Sequence, residues 1–171
     1  MTSLIFVIFY NYLFFVGKSF IHLFSQKNRL IEEINLDIYY EKFYPVVSLF
    51  LIGNLAVLLN YFVSIKSAVY FIFIVTLIPI LIFNKKLFDG FNAKLFIKNI
   101  VFPGILSMSV YASRLHYDAG AYHLNNQLWI RESKLVIGLS NLIQNYGFSS
   151  INEYLSSLLW FQIDWILWFV L

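Results

Sequence analysis

The stretch PVVSLFLIGNLAVLLNYFVS, residues 45–64, is followed after a tight connector by AVYFIFIVTLIPILIF, residues 68–83. Both runs are continuously apolar, whereas the strands of a membrane β-barrel alternate apolar and polar residues. A helix needs about 20 predominantly apolar residues to cross a bilayer. The two runs therefore predict a pair of transmembrane helices, with Pro45 in the first turn of one and Pro79 kinking the other.

Further apolar runs predict additional spans at residues 3–24, 99–113 and 151–171. The composition agrees, because 60% of the residues are hydrophobic and 12% are charged, against about 25% charged in soluble domains. We expect an all-α polytopic transmembrane helical bundle of about five spans, with no separate soluble domain. The expected order is four spans in residues 1–113, an external loop at 114–150 and a fifth span at 151–171.

The distribution of basic residues predicts which connectors face the cytoplasm. NKKLFDGFNAKLFIK, residues 84–98, is the most basic connector, and cytoplasmic loops carry an excess of Lys and Arg. Alternation of the spans then places the connector at 25–44 inside and residues 114–150 outside. Seven Lys and Arg residues fall inside and four fall outside. The net charge of +3 is accounted for by such loops, so a nucleic-acid partner is not predicted.

Several chemical classes are excluded by residue content. The chain has no Cys, which rules out disulfides, Cys-based metal sites and a thiol nucleophile. It also contains no phosphate-binding loop, nucleophile elbow, H-E-x-x-H helix or dinucleotide fingerprint. The first apolar run lacks the basic start and the cleavage site of a secretory signal, so we interpret it as a retained span.

The polar segment 114–150 holds the candidate functional residues. Asp118 directly precedes a helical run, and Asp is favoured at helix N-caps. The same carboxylate beside an apolar wall can have a raised pKa and serve as a general base. Both interpretations remain open, and they are compatible with each other.

His116 and His123 flank Asp118, and these are suitable residue types for a divalent metal. Their spacing matches no established metal motif, so we predict no metal or other cofactor. If a divalent metal does bind, Asp118 and His123 are its candidate ligands. Contact of these residues with a phosphate or a sugar hydroxyl is the competing prediction.

Other polar residues of the segment have a binding and a structural interpretation. Arg114 and Arg131 can clamp a phosphate or serve as interfacial anchors. The amides of Asn125, Asn126 and Gln127 can meet sugar hydroxyls or form a solvated helix face. An apolar stripe with Trp129 among its members predicts two short amphipathic helices lying on the membrane.

Three blocks of this segment resemble a family of bacterial multi-pass membrane proteins encoded with surface-polysaccharide genes. The blocks are YDAGAYH at 117–123, WIRESKLVIGLSNL at 129–142 and YGFSS at 146–150. Ile137 stands where that family has Pro, and Gln144-Asn145 replaces its Gly-Arg pair. The family is similar to the GT-C class of glycosyltransferases, which take a sugar from a polyprenyl-phosphate carrier on the outer face of the membrane.

The resemblance implies a function and a catalytic base, Asp118, and its blocks include Tyr122, His123 and Glu132. Together with the candidates chosen by residue type, the expected substrate-binding set is Arg114, His116, Tyr122, His123, Asn126 and Glu132. The chain would be the N-terminal part of such an enzyme in a bacterial cytoplasmic membrane, acting in cell-envelope polysaccharide synthesis. The partners would be the lipid bilayer, a polyprenyl-phosphate sugar and other membrane helices.

The alternative function is a small non-catalytic membrane subunit that packs against a partner membrane protein. Gln162 and Asp164 lie at membrane depth in the predicted fifth span, where a polar side chain normally faces other protein. In the second span, Gly53, Asn54 and Asn60 are expected to contact neighbouring helices. A substrate-translocating transporter is the third and least favoured function, because many transporters are built from internal repeats and this sequence has none.

Overall fold

A computed structural model describes residues 2–25, 41–83, 93–109, 119–141, 144 and 149–160. These residues form helices and turns, and no strand occurs among them, as the all-α prediction requires. The α-helices are α1 Thr2–Ser25, α2 Tyr44–Asn60, α3 Ile65–Ile82, α4 Ala93–Ser109, α5 Leu124–Glu132 and α6 Ile151–Leu158. Short helical turns are Glu41–Phe43 and Leu139–Asn141, both 3₁₀, and Ala119–His123, which is π-helical.

Three helical segments are long and apolar enough to cross a membrane: Ser3–Phe24, Glu41–Asn60 and Ile65–Ile82. They correspond to the first three predicted spans. A shorter apolar helix, Leu95–Met108, lies in the region of the fourth. Such helices are compatible with a lipid bilayer, because each satisfies its backbone hydrogen bonds internally.

The observed helix ends differ from the predicted ones. The second span was predicted to run to residue 64, but α2 ends at Asn60. The third was predicted to begin at residue 68, but α3 begins at Ile65 because Ser64 initiates it. The backbone carbonyl of Ser64 accepts hydrogen bonds from the amides of Ser67 and Ala68, and its hydroxyl lies 3.0 Å from that of Ser67.

The last two predicted spans also differ from the observed helices. The fourth was predicted at 99–113, but α4, Ala93–Ser109, begins six residues earlier, and residues 110–113 lie outside the described residues. The fifth was predicted as one run from 151 to 171, but α6 ends at Leu158, with Leu159 as its C-cap. Residues 161–171, which include Gln162 and Asp164, lie outside the described residues.

The chain divides into two compact units. The first comprises Met1–Phe50 and Ile74–Ser107. Within it, α1 closely approaches the start of α2 at Gly17, where an added Cβ would lie 2.0 Å from the Tyr44 carbonyl oxygen. The Ser48 hydroxyl lies within hydrogen-bond distance of the carbonyl oxygens of Leu13 and Tyr44 at this contact, and its single hydrogen can be donated to either. A small residue is therefore required at position 17 for the two backbones to meet.

The second unit comprises Leu51–Phe73 and Met108–Leu171. Its apolar core includes Ile52, Ala56, Ile65, Ile72, Ile130 and Leu155. Gly53 lets α6 pack against α2, since an added Cβ would lie 2.3 Å from the Ile151 methyl group. The predicted role of Gly53 in helix packing is confirmed, and the remaining polar residues of this unit form the candidate site.

Candidate functional site

The structure describes four of the predicted site residues. Tyr122 and His123 lie in the turn Ala119–His123, and Asn126 and Glu132 lie in α5. The other three, Arg114, His116 and Asp118, lie outside the described residues.

The π-helical turn leads directly into α5, because His123 already has helical backbone angles of φ −64° and ψ −46°. On the following nine residues, Asn126, Gln127 and Ile130 are buried. Their spacing of one and four places them on one side of the helix. Leu128 and Trp129 are exposed. The buried face of α5 is thus largely polar, and an amphipathic helix lying on the membrane stays a prediction.

Helix α6 supplies the carboxylate that the polar face of α5 meets. Glu153 is only 8% exposed. One of its carboxylate oxygens lies 2.8 Å from His123 Nδ1, and the other accepts a hydrogen bond from Asn126 Nδ2 at 2.5 Å. The same Asn126 nitrogen lies 3.0 Å from the Ser149 hydroxyl. We call these four residues, His123, Asn126, Ser149 and Glu153, the Glu153 cluster.

The cluster fixes the orientation of the imidazole ring. An ionised carboxylate only accepts hydrogen bonds, so His123 Nδ1 donates to Glu153. A neutral ring then carries its lone pair on Nε2, and its side chain is 45% exposed. The Tyr122 ring packs beside it, with ring centroids 4.6 Å apart. An oriented, accessible imidazole can accept a proton or a hydrogen bond from a bound hydroxyl.

Glu132 lies away from the cluster, at the end of α5. Its carboxylate oxygens are 2.8 and 3.1 Å from Lys66 Nζ at the start of α3. Both side chains are largely exposed, so the pair contributes little to stability but joins the ends of the two helices.

Arg131 connects α5 to the end of α6. Its guanidinium donates a 2.7 Å hydrogen bond to the carbonyl oxygen of Ser157. That carbonyl lies in the last turn of α6, where carbonyl groups lack partners within the helix. Arg131 therefore caps α6 from α5, and its role as a phosphate clamp or an interfacial anchor stays a prediction.

Asn60 performs the same task at the end of α5. Its amide nitrogen lies 3.1 Å from the Ile130 carbonyl oxygen and 2.9 Å from that of Ser133, and it is also 3.3 Å from the Val63 carbonyl. The prediction that Asn60 contacts a neighbouring helix is confirmed. The partner is the carboxyl end of α5.

A small cavity of about 50 Å³ adjoins the cluster. Its polar lining comes from Asn60, Asn126, Lys134, Ser149 and Tyr154, and its apolar lining includes Trp129 and Leu135. It is far smaller than the pockets of about 300–1,000 Å³ that enclose small-molecule ligands. It has room for a few ordered waters, which suits its polar walls.

The described residues contain no group of three or more His, Asp or Glu side chains that could hold a metal ion. Of the two candidate metal ligands, Asp118 lies outside the described residues and His123 lies within them. The observed partner of His123 is a single carboxylate.

Sequence reasoning missed Glu153 and Ser149 as members of the site. Glu153 was assigned to a membrane span on the basis of the overall hydropathy of residues 151–171. A signal was present in INEYLSSLL, where Asn152, Glu153, Ser156 and Ser157 interrupt the apolar pattern. That interruption indicates a short helix packed against polar protein groups.

No protein-family model, curated protein or solved structure matched the chain when it was compared with known proteins.

Proposed function

We propose that the chain contributes the acceptor-activating part of a GT-C-like integral membrane glycosyltransferase. The enzyme would use a polyprenyl-phosphate-linked sugar in cell-envelope polysaccharide synthesis. The observation that supports this best is the Glu153 cluster, because it contains His123 and Ser149, which belong to two of the blocks that resemble such proteins. A general base must lie within hydrogen-bond distance of the proton that it accepts. A rigid segment beside Asp118 suits this requirement.

In the proposed reaction, Asp118 accepts the proton of an acceptor hydroxyl while that oxygen attacks the anomeric carbon of the sugar. The bond between this carbon and the phosphate oxygen breaks, and the polyprenyl phosphate leaves with the bonding electron pair. Asp118 precedes His123 by five residues. The exposed edge of the His123 ring is the group we assign to a substrate hydroxyl. Tyr122 flanks it.

The remaining substrate contacts are assigned to Arg114, His116, Asn126 and Glu132. The proposed location is a bacterial cytoplasmic membrane, with residues 114–150 on its outer face. Three apolar helices support a membrane location. The orientation follows from the positive-inside rule and is testable with membrane-impermeant thiol reagents, because the chain has no native Cys.

The decisive experiment replaces Asp118 with Asn at the natural chromosomal locus. Membrane vesicles from these cells are given labelled hexoses linked to undecaprenyl phosphate, and transfer to polysaccharide is measured. Loss of a general base is expected to lower the transfer rate about 10²- to 10⁴-fold. Asp89→Asn is the matched control, because it makes the same chemical change in the connector 84–98. Transfer at the parent rate by Asp118→Asn, with the protein present at its normal level, would refute the proposal.

A non-catalytic membrane subunit is the second candidate, favoured by a specific observation. Asn126, Arg131 and Glu132 all have partners within the chain, so their polar groups serve the fold. A subunit would keep the transfer rate of its complex unchanged in Asp118→Asn. If the complex depends on this chain as a subunit, Glu153→Ala should cause loss of the complex.

A further inference from the structure

The turn after α5 presents an unusual apolar surface. Residues 135–137 are Leu, Val and Ile, and Ile137 at their end is 94% exposed. The chain reverses at Gly138, which has φ +85°, a conformation that favours glycine. The amide of Asn141 closes the reversal with a 2.9 Å hydrogen bond to the Gly138 carbonyl oxygen. We call residues 135–137 the apolar turn.

Hydrogen bonds hold the apolar turn against the end of α2. The amide of Leu135 donates to the Asn60 carbonyl oxygen at 2.7 Å. The Asn60 side chain donates to the Ser133 carbonyl oxygen, two residues before the turn. The ion pair of Lys66 and Glu132 joins the start of α3 to the end of α5 nearby. The position of the turn relative to these helix ends is therefore set by direct contacts.

The lengths of the helices indicate where their ends would lie in a bilayer that they span. The segment Glu41–Asn60 has 20 residues, a length of about 30 Å at 1.5 Å per residue, which equals the hydrocarbon core of a bilayer. The next membrane-length helix begins at Ile65, so the loop between them lies at the boundary. In this loop Tyr61 is 58% exposed and Phe62 is 79% exposed. Aromatic side chains are enriched at this depth of the bilayer.

We propose that the apolar turn inserts into the lipid bilayer and anchors α5 to the membrane surface. The turn is bound to a helix end that lies at the boundary, and its exposed side chains are aliphatic. Lys134 precedes the turn and is exposed, which suits contact of its ammonium group with lipid phosphates. Such an anchor would keep the Glu153 cluster at a fixed depth in the membrane. This proposal rests on the apolar helices and does not depend on the proposed reaction.

The test measures the depth of residue 137 directly. The chain has no Cys, so Ile137→Cys gives a single site for a nitroxide spin label. The full-length protein is reconstituted into vesicles of phosphatidylethanolamine and phosphatidylglycerol. Collisions with oxygen, which enriches in lipid, are compared with collisions with an aqueous nickel chelate. The label is expected about 5–10 Å below the headgroup surface, the depth of interfacial apolar segments.

Two control positions define the range of the measurement. Phe62→Cys reports the boundary loop, and Ser140→Cys reports an exposed polar residue three positions beyond Ile137. The proposal requires the label at 137 to be more protected from the chelate than the label at 140. Equal chelate access at 137 and 140 would overturn it. Dipolar broadening that persists as lipid is added would also overturn it, because a second copy of the chain would then cover the turn.

Since Ile137 is almost fully exposed, its replacement removes no packing contact of consequence. Folding of each labelled protein is checked by its helical circular dichroism before reconstitution.

Discussion

Replacement of Asn60 by Ala removes the side chain that connects α2 to the end of α5. Asn60 is 1% exposed, and its amide nitrogen faces three carbonyl oxygens, those of Val63, Ile130 and Ser133. The backbone bond from the Leu135 amide to the Asn60 carbonyl remains in the variant. The change therefore isolates the contribution of the side-chain amide.

The cost follows from the number of hydrogen bonds lost. An amide nitrogen has two hydrogens, so it satisfies two of the three carbonyl groups at a time. Each net hydrogen bond contributes about 0.5–1.5 kcal/mol, and a carbonyl left buried without a partner costs about 1–3 kcal/mol. Water can enter from the adjacent cavity and recover part of this loss. We expect the free energy of unfolding to fall by about 2–3 kcal/mol.

The assay is reversible unfolding in mixed micelles of dodecyl maltoside and sodium dodecyl sulfate, followed by far-ultraviolet circular dichroism. Asn125→Ala is the matched control, because Asn125 is exposed and its amide nitrogen donates to the carbonyl oxygen of Ala121 within its own helical segment. The control should change the unfolding free energy by less than about 0.5 kcal/mol. An equally small effect for Asn60→Ala would refute the inference that its amide caps α5.

Two further pairs of substitutions separate required contacts from incidental ones, and all four variants are measured by the same unfolding assay. Gly17→Ala is expected to cost about 1–3 kcal/mol because the new methyl group would meet the Tyr44 carbonyl, whereas Gly104→Ala, with open space around it, should gain about 0.5–1 kcal/mol. Glu153→Ala is expected to cost about 2–4 kcal/mol because it leaves the buried Asn126 amide without its carboxylate partner and removes the hydrogen bond to His123. Its control, Glu132→Ala, should cost less than about 1 kcal/mol since that ion pair is exposed. Costs of similar size in either pair of variants would contradict the structural assignment.

The positions of the apolar helices could be predicted because the signal is local. The first span was predicted at 3–24, and an apolar segment of those bounds is present in α1. The predicted positions of the helix ends were less accurate. Ser64 was included in a span by its place in an apolar run, but its carbonyl and hydroxyl groups begin the next helix. Hydropathy does not register such hydrogen bonds, so it extends a helix past its end.

The candidate site was predicted in part. His123 and Asn126 were selected from a polar block, and the structure brings them together. Glu153, their common partner, was not selected because its surroundings are apolar in sequence. Arg131 was considered for phosphate binding, yet its guanidinium caps a helix 26 residues further along the chain. The sequence does not specify which of several polar groups a given side chain will meet.

The amino-acid sequence by itself determined that the chain is helical and that three of its segments have the length and apolarity to cross a membrane. These properties depend on consecutive residues. A helix makes its backbone hydrogen bonds within itself, and its own side chains determine whether it is compatible with lipid or with water. Only the tertiary structure decided that Glu153 orients His123, that Asn60 caps α5 and that the apolar turn is held at the end of α2. Two of these contacts join residues 30 and 70 positions apart. Which of such distant polar groups meet depends on how the helices pack, because packing brings the partners within hydrogen-bond distance.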